Sequence, residues 1–416
     1  MAYRILKKVF NIIFKSLFVL LLILLFAVSV TSVSPIYNFT EGEPFSGEYI
    51  YNPYEKLDTC AGWKKANFHT HTKVDKGINE CPYYPDVVYD EYLSYGYDIL
   101  AFSNHQQLTR HPYDSSLQIN VYEHGYNLFK FHKLVFGTEK ERKFDHLLPV
   151  FDSQKQFMID LLNKDGDFVV FNHPDRTNGI NEKTFGKVSG YRLVEGDAGF
   201  EEGDKGRGTK LKYFDKALSV GRYVHNIIGD DNHNPKNLPR IARRAAFLNT
   251  SGTSSYEEIK QTLLCGNFFT MRIPDNFNGD ITLKKEFNSN LPLIENIGVN
   301  RDTLFIHLSK PAQYIKVTSQ NGITADSLSN TDKLYFKMEE EVPYARFTAR
   351  YEDGTTIYTN AFARSKNGDN PYQEYPHPIN WVLTVLFNLA LLLIAGASIF
   401  AIYRLIKKNP RIHYRG

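Results

Sequence analysis

The chain has 416 residues, which is enough for two soluble domains in addition to membrane segments. Its formal charge of +3 arises at the ends, where nine basic residues lie, and the remainder carries 40 basic and 46 acidic residues. This mildly acidic remainder lacks the basic excess that binding to a phosphate backbone requires, so we expect no nucleic-acid partner.

The first predicted element is an apolar segment near the N-terminus. Residues 16–33 contain no charge, and residues 381–403 near the other end contain none either. Each is about as long as a helix that crosses a hydrocarbon core of roughly 30 Å. We predict an N-terminal transmembrane helix or signal anchor within residues 1–33 and a C-terminal transmembrane helix over 381–403, followed by a basic cytoplasmic tail at 404–416.

The basic flanks of these segments predict the topology. Positive residues stay on the cytoplasmic side, so we expect both termini in the cytoplasm of a bacterial-type cell and residues from about 34 to 380 outside its membrane. The alternative is a cleaved signal peptide with Ala27-Val28-Ser29 at the cleavage site, which leaves one anchor and the same domain outside.

Three cysteines, Cys60, Cys81 and Cys265, have two interpretations. An extracytoplasmic location permits a Cys60–Cys81 disulfide around the first histidine motif, and three free thiols are the alternative. No Cys-x-x-Cys pair occurs, which disfavours a thiolate zinc site.

The central part of the chain divides by its pattern. Residues 34–62 are a Tyr-, Pro- and Gly-rich lead-in, and 63–274 alternate short apolar strands with helices at 153–164 and 255–265. Predicted strands at 97–103, 168–171 and 226–229 each run into a histidine or an acid. Strand, ligand, helix and strand in succession are typical of an α/β barrel whose chemistry lies at the carboxyl ends of its strands.

Residues 275–366 have a different pattern. Short strands are predicted at 304–308, 314–317, 334–338 and 345–351, and Asn321-Gly322 and Asp353-Gly354 predict hairpin turns. We expect a small β-sandwich there, followed by a polar linker at 367–380.

Histidines and acids follow the predicted strands in pairs. His69 and His71 lie two residues apart, so on a strand both point to one face, and Asp231 and His233 repeat that spacing with one carboxylate. Asp230 is the competitor for the role of Asp231. Imidazoles and carboxylates are the ligands of zinc, manganese and iron, so we expect two or three such divalent ions.

At these positions the chain resembles the polymerase and histidinol phosphatase (PHP) superfamily over about residues 64–272. The matching motifs are, in order, FHTHT at 68–72, SNH at 103–105, GTE at 137–139, DHLL at 145–148, NHP at 172–174, GDDNH at 229–233 and GNFF at 266–269. The β-rich segment is similar to the appendage of extracytoplasmic members. The resemblance implies an α/β fold: a distorted (β/α)7 barrel followed by a small β-sandwich, flanked by two transmembrane helices.

The resemblance also implies a ligand set. By motif position, one metal is held by His69, His71, Glu139 and Asp231; a second by Glu139, His146 and His173; and a third by His105 and His233, with Asp75 as a helper. His132 is an alternative to His146. Asn67 and Asn104 stand where the family usually has aspartate, and Lys76-Gly77 where it has Asp-Gly, so the third metal departs most from the pattern.

The resulting functional hypothesis is a metal-dependent phosphoesterase that hydrolyses a phosphate mono- or diester outside the cytoplasm. Glu139, Asp231 and Arg176 are the predicted catalytic residues, with Arg176 as a phosphate clamp and Arg110 as a second candidate. A phosphorylated small molecule, a lipid headgroup or an envelope polymer is the expected substrate. A tethered binding or scaffold protein, and a metal-dependent C–N or C–O hydrolase, are the alternatives.

Overall fold

A computed structural model describes residues 2–196, 211–250 and 254–407. Its α-helices are α1 (Ala2–Thr31), α2 (Pro85–Leu93), α3 (Asp152–Leu162), α4 (Glu182–Lys187), α5 (Lys212–Ser219), α6 (Tyr256–Cys265), α7 (Ile281–Ser289) and α8 (Trp381–Lys407). Its strands are β1 (Tyr49–Tyr51), β2 (Lys64–Asn67), β3 (Ile99–Leu100), β4 (Val121–His124), β5 (Lys133–Phe136), β6 (Phe168–Phe171), β7 (Leu193–Glu195), β8 (His225–Ile227), β9 (Arg244–Leu248), β10 (Phe268–Arg272), β11 (Ile294–Asn300), β12 (Thr303–Thr318), β13 (Thr324–Lys337), β14 (Tyr344–Arg350), β15 (Thr356–Thr359) and β16 (Phe362–Ser365).

Five strands form the smaller sheet in the order β4-β5-β6-β7-β8. The pairs β4–β5 and β5–β6 are antiparallel, whereas β6–β7 and β7–β8 are parallel. All four residues of β6 are apolar and buried, as expected for a central strand covered on both faces.

The larger sheet has 11 strands. Its main path runs β1-β16-β14-β15-β10-β9-β2-β3, and β12 joins it through β14 and carries β11 and β13. Both predicted hairpin turns are present: the Asn321-Gly322 turn joins β12 to β13, and the Asp353-Gly354 turn joins β14 to β15.

The predicted fold class, a (β/α)7 barrel followed by a separate small β-sandwich, is wrong. Over the described residues the strands form two open sheets rather than a closed barrel, and isolated bridges at Thr70–Asn232 and His105–Glu123 connect them. Closure fails because β9 takes the edge of β2 that would have to pair with β8. The sandwich is not separate because β10 pairs with β15, which makes the β-rich strands part of the larger sheet.

An aromatic core joins the sheets beneath the bridges. The Phe68 ring, just after β2, lies 5.7 Å from Phe136 of β5, which stacks at 4.6 Å on Phe168 of β6. All three side chains are buried. Each such ring pair contributes about 0.5–1.5 kcal/mol beyond the burial of its area, so these contacts hold the strands of the two sheets in fixed positions.

A buried ion pair ties the β-rich strands to the rest of the molecule. Arg346 of β14 donates from Nε and Nη2 to the two carboxylate oxygens of Asp215 in α5, both at 2.7 Å. Since both side chains are almost fully buried, breaking the pair leaves an uncompensated charge.

Two helices near the N- and C-termini, α1 and α8, are long and apolar enough to cross a membrane. They are antiparallel neighbours, because the end of α1 lies beside the start of α8. The Asn388 side chain exchanges hydrogen bonds with the Ser34 backbone at 3.2 and 3.1 Å, and Thr384 accepts one from the Ile36 amide at 2.9 Å.

Candidate metal centre

His69 and His71 lie just beyond the carboxyl end of β2, and both are buried. The segment after β8 approaches them closely: a Cβ at Gly229 would lie 2.5 Å from the His69 Cβ. Glycine at position 229 therefore allows the chain that carries Asp231 to reach the two imidazoles.

The first ligand group combines these histidines with Asp231 and with Glu123 of β4. Asp231 Oδ1 lies 3.2 Å from His69 Nε2 and 3.1 Å from His71 Nε2, and Glu123 Oε2 lies 3.3 and 3.4 Å from the same two atoms. All four ligand atoms lie within 4.8 Å of one another. A tetrahedral ion with ligand bonds of about 2.1 Å separates its ligands by roughly 3.4 Å, so this group has the spacing of a metal site.

The other oxygen of Glu123 faces a second pair of imidazoles. Glu123 Oε1 lies 3.0 Å from His132 Nδ1 and 3.1 Å from His173 Nε2, and it also accepts a hydrogen bond from the Asn172 amide at 3.1 Å. Glu123 therefore presents one oxygen to each of two imidazole sets.

A third group lies at the more exposed rim. His105 Nε2 is 3.1 Å from Glu80 Oε2, and the same oxygen lies 3.5 Å from His233 Nδ1. The His233 ring stacks on His71 at 4.2 Å, which connects this group to the first. Glu80, His105 and His71 also have ligand atoms within 4.8 Å of one another.

Two residues of the cluster have backbone conformations that L-residues rarely adopt. Asp231 has φ +47° and His173 has φ +23°. Such conformations cost on the order of 1–3 kcal/mol, and they persist where the surrounding structure enforces them, typically at functional sites.

Arg176 lies at the end of a single 3₁₀ turn, Pro174–Arg176, directly after His173. Its guanidinium forms an ion pair with Asp231 Oδ2, and its side chain is 26% exposed. The predicted phosphate clamp is thus beside the ligand cluster and held by one of the ligands. Arg110, by contrast, is exposed.

Glu195, at the end of β7, contacts two of the candidate ligands, His69 and His173, and holds them in position. Its Oε1 lies 2.9 Å from His69 Nδ1, and its Oε2 accepts a hydrogen bond from the His173 amide at 3.0 Å. A carboxylate on the far nitrogen of a ligand imidazole fixes the ring and raises its basicity. Glu195 therefore supplies the carboxylate that Asn67 does not; Asn67 Oδ1 accepts from the His69 amide instead.

Asp230 and Asn104 have structural roles. Asp230 accepts hydrogen bonds from the Tyr92 hydroxyl at 2.9 Å and from two backbone amides, so it faces away from the cluster. Asn104 pairs with Thr72 through a backbone bond of 2.8 Å and a side-chain bond of 2.7 Å, which holds the loop after His71.

The electrostatics of the cluster keep its carboxylates ionised. Burial opposes ionisation, but the nearby imidazoles hold the pKa of Glu123 and of Asp231 well below the usual range. Burial likewise lowers the pKa of His71, but its hydrogen bonds to these carboxylates outweigh burial and raise that pKa to about 9. Burial dominates at His132 and lowers its pKa to about 4. Cation binding here would displace imidazole protons.

Two of the ligand atoms, Glu123 Oε2 and His69 Nε2, are buried and lie 3.3 Å apart, yet neither has a hydrogen bond of good geometry to any described residue. An unpaired buried polar atom costs about 1–3 kcal/mol, and a cation shared by the two atoms would satisfy both. Imidazole nitrogens and carboxylate oxygens are the ligands of zinc, manganese and iron, and the residues present fit those ions.

The cluster thus collects six of the predicted metal ligands: His69, His71, His105, His173, Asp231 and His233. It does not collect Glu139 or His146. Glu139, the predicted bridging and catalytic residue, is exposed in the bend after β5, and the predicted helper Asp75 is exposed as well. The ligands were expected at the carboxyl ends of the strands. Strand β5, however, runs antiparallel to β4, so the amino end of β5 lies beside Glu123 and brings His132 to it. The carboxyl end of β5, which leads to Glu139, points the other way.

His146 is buried elsewhere. Its Nδ1 atom contacts the Thr31 carbonyl at the end of α1, and its ring packs on Phe144. The three cysteines, Cys60, Cys81 and Cys265, are free thiols.

Sequence reasoning missed Glu123, Glu195 and Glu80. A signal for Glu123 exists in the sequence, since it follows the apolar pair Val121-Tyr122 in a short strand, where a charged residue is rarely buried without a partner. Glu195 likewise ends the apolar strand β7.

Comparisons with known proteins do not name a family for this chain. No family model matches it. A search of curated proteins also finds no match.

Proposed function

We propose that this chain is a metal-dependent phosphoesterase anchored in a membrane. The observation that carries the proposal is the position of Glu123, whose two oxygens face two sets of imidazoles at 3.0–3.4 Å. A buried carboxylate between two ligand sets is the arrangement that dinuclear hydrolases use.

Two divalent cations held there would activate a water molecule and neutralise the phosphoryl oxygens of a substrate. In hydrolysis the water oxygen bonds to phosphorus, the ester P–O bond breaks, and the leaving alkoxide takes up a proton from the water. The protein groups act by position: Glu123 and Asp231 fix the cation sites, and Glu195 orients His69.

Arg176 supplies the remaining charge. Its ion pair with Asp231 preorganises the guanidinium at the cluster, where it can donate two parallel hydrogen bonds to phosphoryl oxygens. Preorganised donors aimed at developing negative charge lower a barrier most where water is excluded, and the surrounding ligands are buried.

The resemblance to the PHP superfamily remains a proposal that rests on the ligand set. The order of His69, His71, His105, His173, Asp231 and His233 along the chain supports it, whereas the fold does not.

We also propose the topology predicted from the sequence, with both termini in the cytoplasm and the residues between α1 and α8 outside it. The antiparallel pair α1 and α8 supports it, because their outer ends both carry basic residues, as segments that stay in the cytoplasm do.

The test measures metal and turnover in the full-length protein purified in detergent. We expect at least two equivalents of zinc, manganese or iron per chain by elemental analysis, and hydrolysis of p-nitrophenyl mono- or diesters with added Mn²⁺ or Zn²⁺. Matched amide and carboxylic ester substrates should be inert. Fewer than one equivalent of metal refutes the site, and hydrolysis of only the amides or carboxylic esters refutes the phosphoesterase.

A further inference from the structure

An exposed apolar loop of the globular part lies against the ends of the two apolar helices. The segment 144–151 contains the residues Phe144, Val150 and Phe151, which are 39%, 53% and 52% exposed. The loop is fastened to α1, because the Leu147 amide donates to the Thr31 hydroxyl at 3.4 Å and His146 contacts the Thr31 carbonyl.

The depth of this loop follows from its contact with α8. The Phe151 ring packs edge-on against Phe387 with 5.6 Å between centroids. Phe387 lies six residues beyond Trp381, the first residue of α8, which is about 9 Å along the helix axis. Tryptophan marks the membrane–water interface in such helices, so the proposed membrane crossing of α8 puts Phe151 on the hydrocarbon side of that level.

The same loop is connected directly to the wall of the metal cluster. The Leu128 amide donates to the Leu147 carbonyl at 3.1 Å, and the Tyr126 amide donates to the Asp145 carboxylate at 2.9 Å. The Tyr126 hydroxyl in turn donates to the carbonyl of His105, one of the cluster imidazoles, at 3.3 Å. Hydrogen bonds through Tyr126 therefore link this loop to the cluster.

A cation lies on this short path. Lys143, next to Phe144, donates from Nζ to the Gln106 carbonyl at 2.6 Å, and Gln106 follows His105. The same Nζ lies 3.6 Å from the Glu141 carboxylate, and the Lys143 side chain is 68% exposed. A lysine between an apolar loop and the metal cluster is placed where a phospholipid carries its phosphate.

Resting on the proposed function, we infer that the substrate is the headgroup phosphoester of a glycerophospholipid, hydrolysed while the lipid remains in the bilayer. The loop 144–151 seats the protein in the leaflet, and Tyr126 and Lys143 border the route from that leaflet to the cluster. A soluble phosphoester would need no apolar residues at this position. Continuity with α1 and α8 identifies the occupant of the apolar surface as lipid rather than protein.

The experiment places the full-length protein in nanodiscs made of equal parts of dioleoyl-phosphatidylglycerol, dioleoyl-phosphatidylethanolamine and dioleoyl-phosphatidic acid, with Mn²⁺ or Zn²⁺. Headgroup or phosphate release is followed by phosphorus NMR, and hydrolysis of soluble p-nitrophenyl esters is measured on the same sample. The test variant is Val150→Ser with Phe151→Ser. The matched control is Ile323→Ser with Leu328→Ser, which changes equally exposed apolar residues on the β12–β13 hairpin.

We expect lipid hydrolysis in wild type and a loss of at least about tenfold in the loop variant, because two apolar side chains no longer enter the leaflet. Soluble ester hydrolysis should be unchanged in the loop variant, and both rates unchanged in the control. In a separate Phe151→Trp variant made in a Trp381→Phe background, brominated lipids should quench the tryptophan fluorescence more strongly than they quench that of the Trp381→Phe protein.

The other possible results of this experiment distinguish a failure of the lipid inference from a failure of the proposed function. Soluble hydrolysis without lipid hydrolysis overturns the inference and leaves the proposed function standing. Lipid hydrolysis that the loop variant retains, or a residue 151 that brominated lipids do not quench, also overturns it. No hydrolysis of any phosphoester overturns the proposed function itself.

Discussion

Replacing Glu123 by glutamine keeps the size of the side chain and removes its charge. The amide has a single acceptor oxygen, so it cannot bridge two ions, and its NH₂ group would face imidazoles now 3.0–3.4 Å from the carboxylate. Removing a residue that only supports a metal ligand costs about 10–100-fold in affinity or activity. Glu123 contacts the ligand sets directly, so we expect at least the upper end of that range.

The expected loss of metal affinity can be measured as a smaller stabilisation of the folded protein by bound metal. At a metal concentration 100-fold above the dissociation constant, wild type gains about 2.7 kcal/mol, whereas a variant with 100-fold weaker binding gains about 0.4 kcal/mol. For a chain of 416 residues those gains correspond to Tm increases of roughly 3 °C and about 0.5 °C. The assay is thermal unfolding with Mn²⁺ or Zn²⁺ and with a chelator, together with elemental analysis and p-nitrophenyl ester turnover.

Two positions predicted from the sequence serve as controls. Glu139→Gln changes an exposed residue, so its metal-dependent Tm increase and turnover should match wild type. His146→Ala removes a buried ring beside α1, so it should lower Tm and keep the metal-dependent increase. A Glu123→Gln protein that keeps its metal, or a Glu139→Gln protein that loses it, would refute the assignment of Glu123 as the bridging ligand.

Three further predictions follow from named contacts. Arg176→Ala should lower kcat/KM for phosphoesters by about 100-fold with metal content retained, whereas Arg110→Ala, at an exposed position, should have no effect; equal losses would contradict the clamp. Asp215→Asn should lower the free energy of unfolding by about 3–5 kcal/mol in denaturant titrations, because the Arg346 guanidinium stays buried without its partner, and an unchanged midpoint would contradict this. Burial lowers the pKa of Lys65 from 10.5 to about 7, so between these pH values the unfolded chain binds a proton that the folded chain does not. Stability relative to Lys65→Met should therefore rise with pH over that interval, by at most about 1.4 kcal/mol per pH unit, and a flat difference in denaturant midpoints would exclude the shift.

Local elements were predicted well where neighbouring residues decide them. The helix predicted over 255–265 is α6, which begins after Ser255, whose hydroxyl accepts from the Glu258 amide, and ends at Gly266 in the left-handed conformation. The glycine-containing turns of the β-rich segment likewise lie where predicted. The apolar segments near both ends form α1 and α8, because uninterrupted apolar character is itself a property of the sequence.

The site was predicted in part. His69 and His71 could be paired from the sequence because a spacing of two residues on an extended chain puts both side chains on one face. Glu123 could not be paired with them in the same way, because the separation of a carboxylate from an imidazole more than fifty residues away depends on strand order.

The sequence by itself determined which residue types are available as ligands, where the apolar helices lie, and that short strands end in histidine or aspartate. Only the tertiary structure decided that β5 runs antiparallel to β4, which brings His132 to Glu123 and sends Glu139 to the surface. It also decided that β9 takes the edge of β2 and leaves the sheets open. Strand direction and edge pairing depend on contacts between distant segments, and no local pattern of residues specifies them.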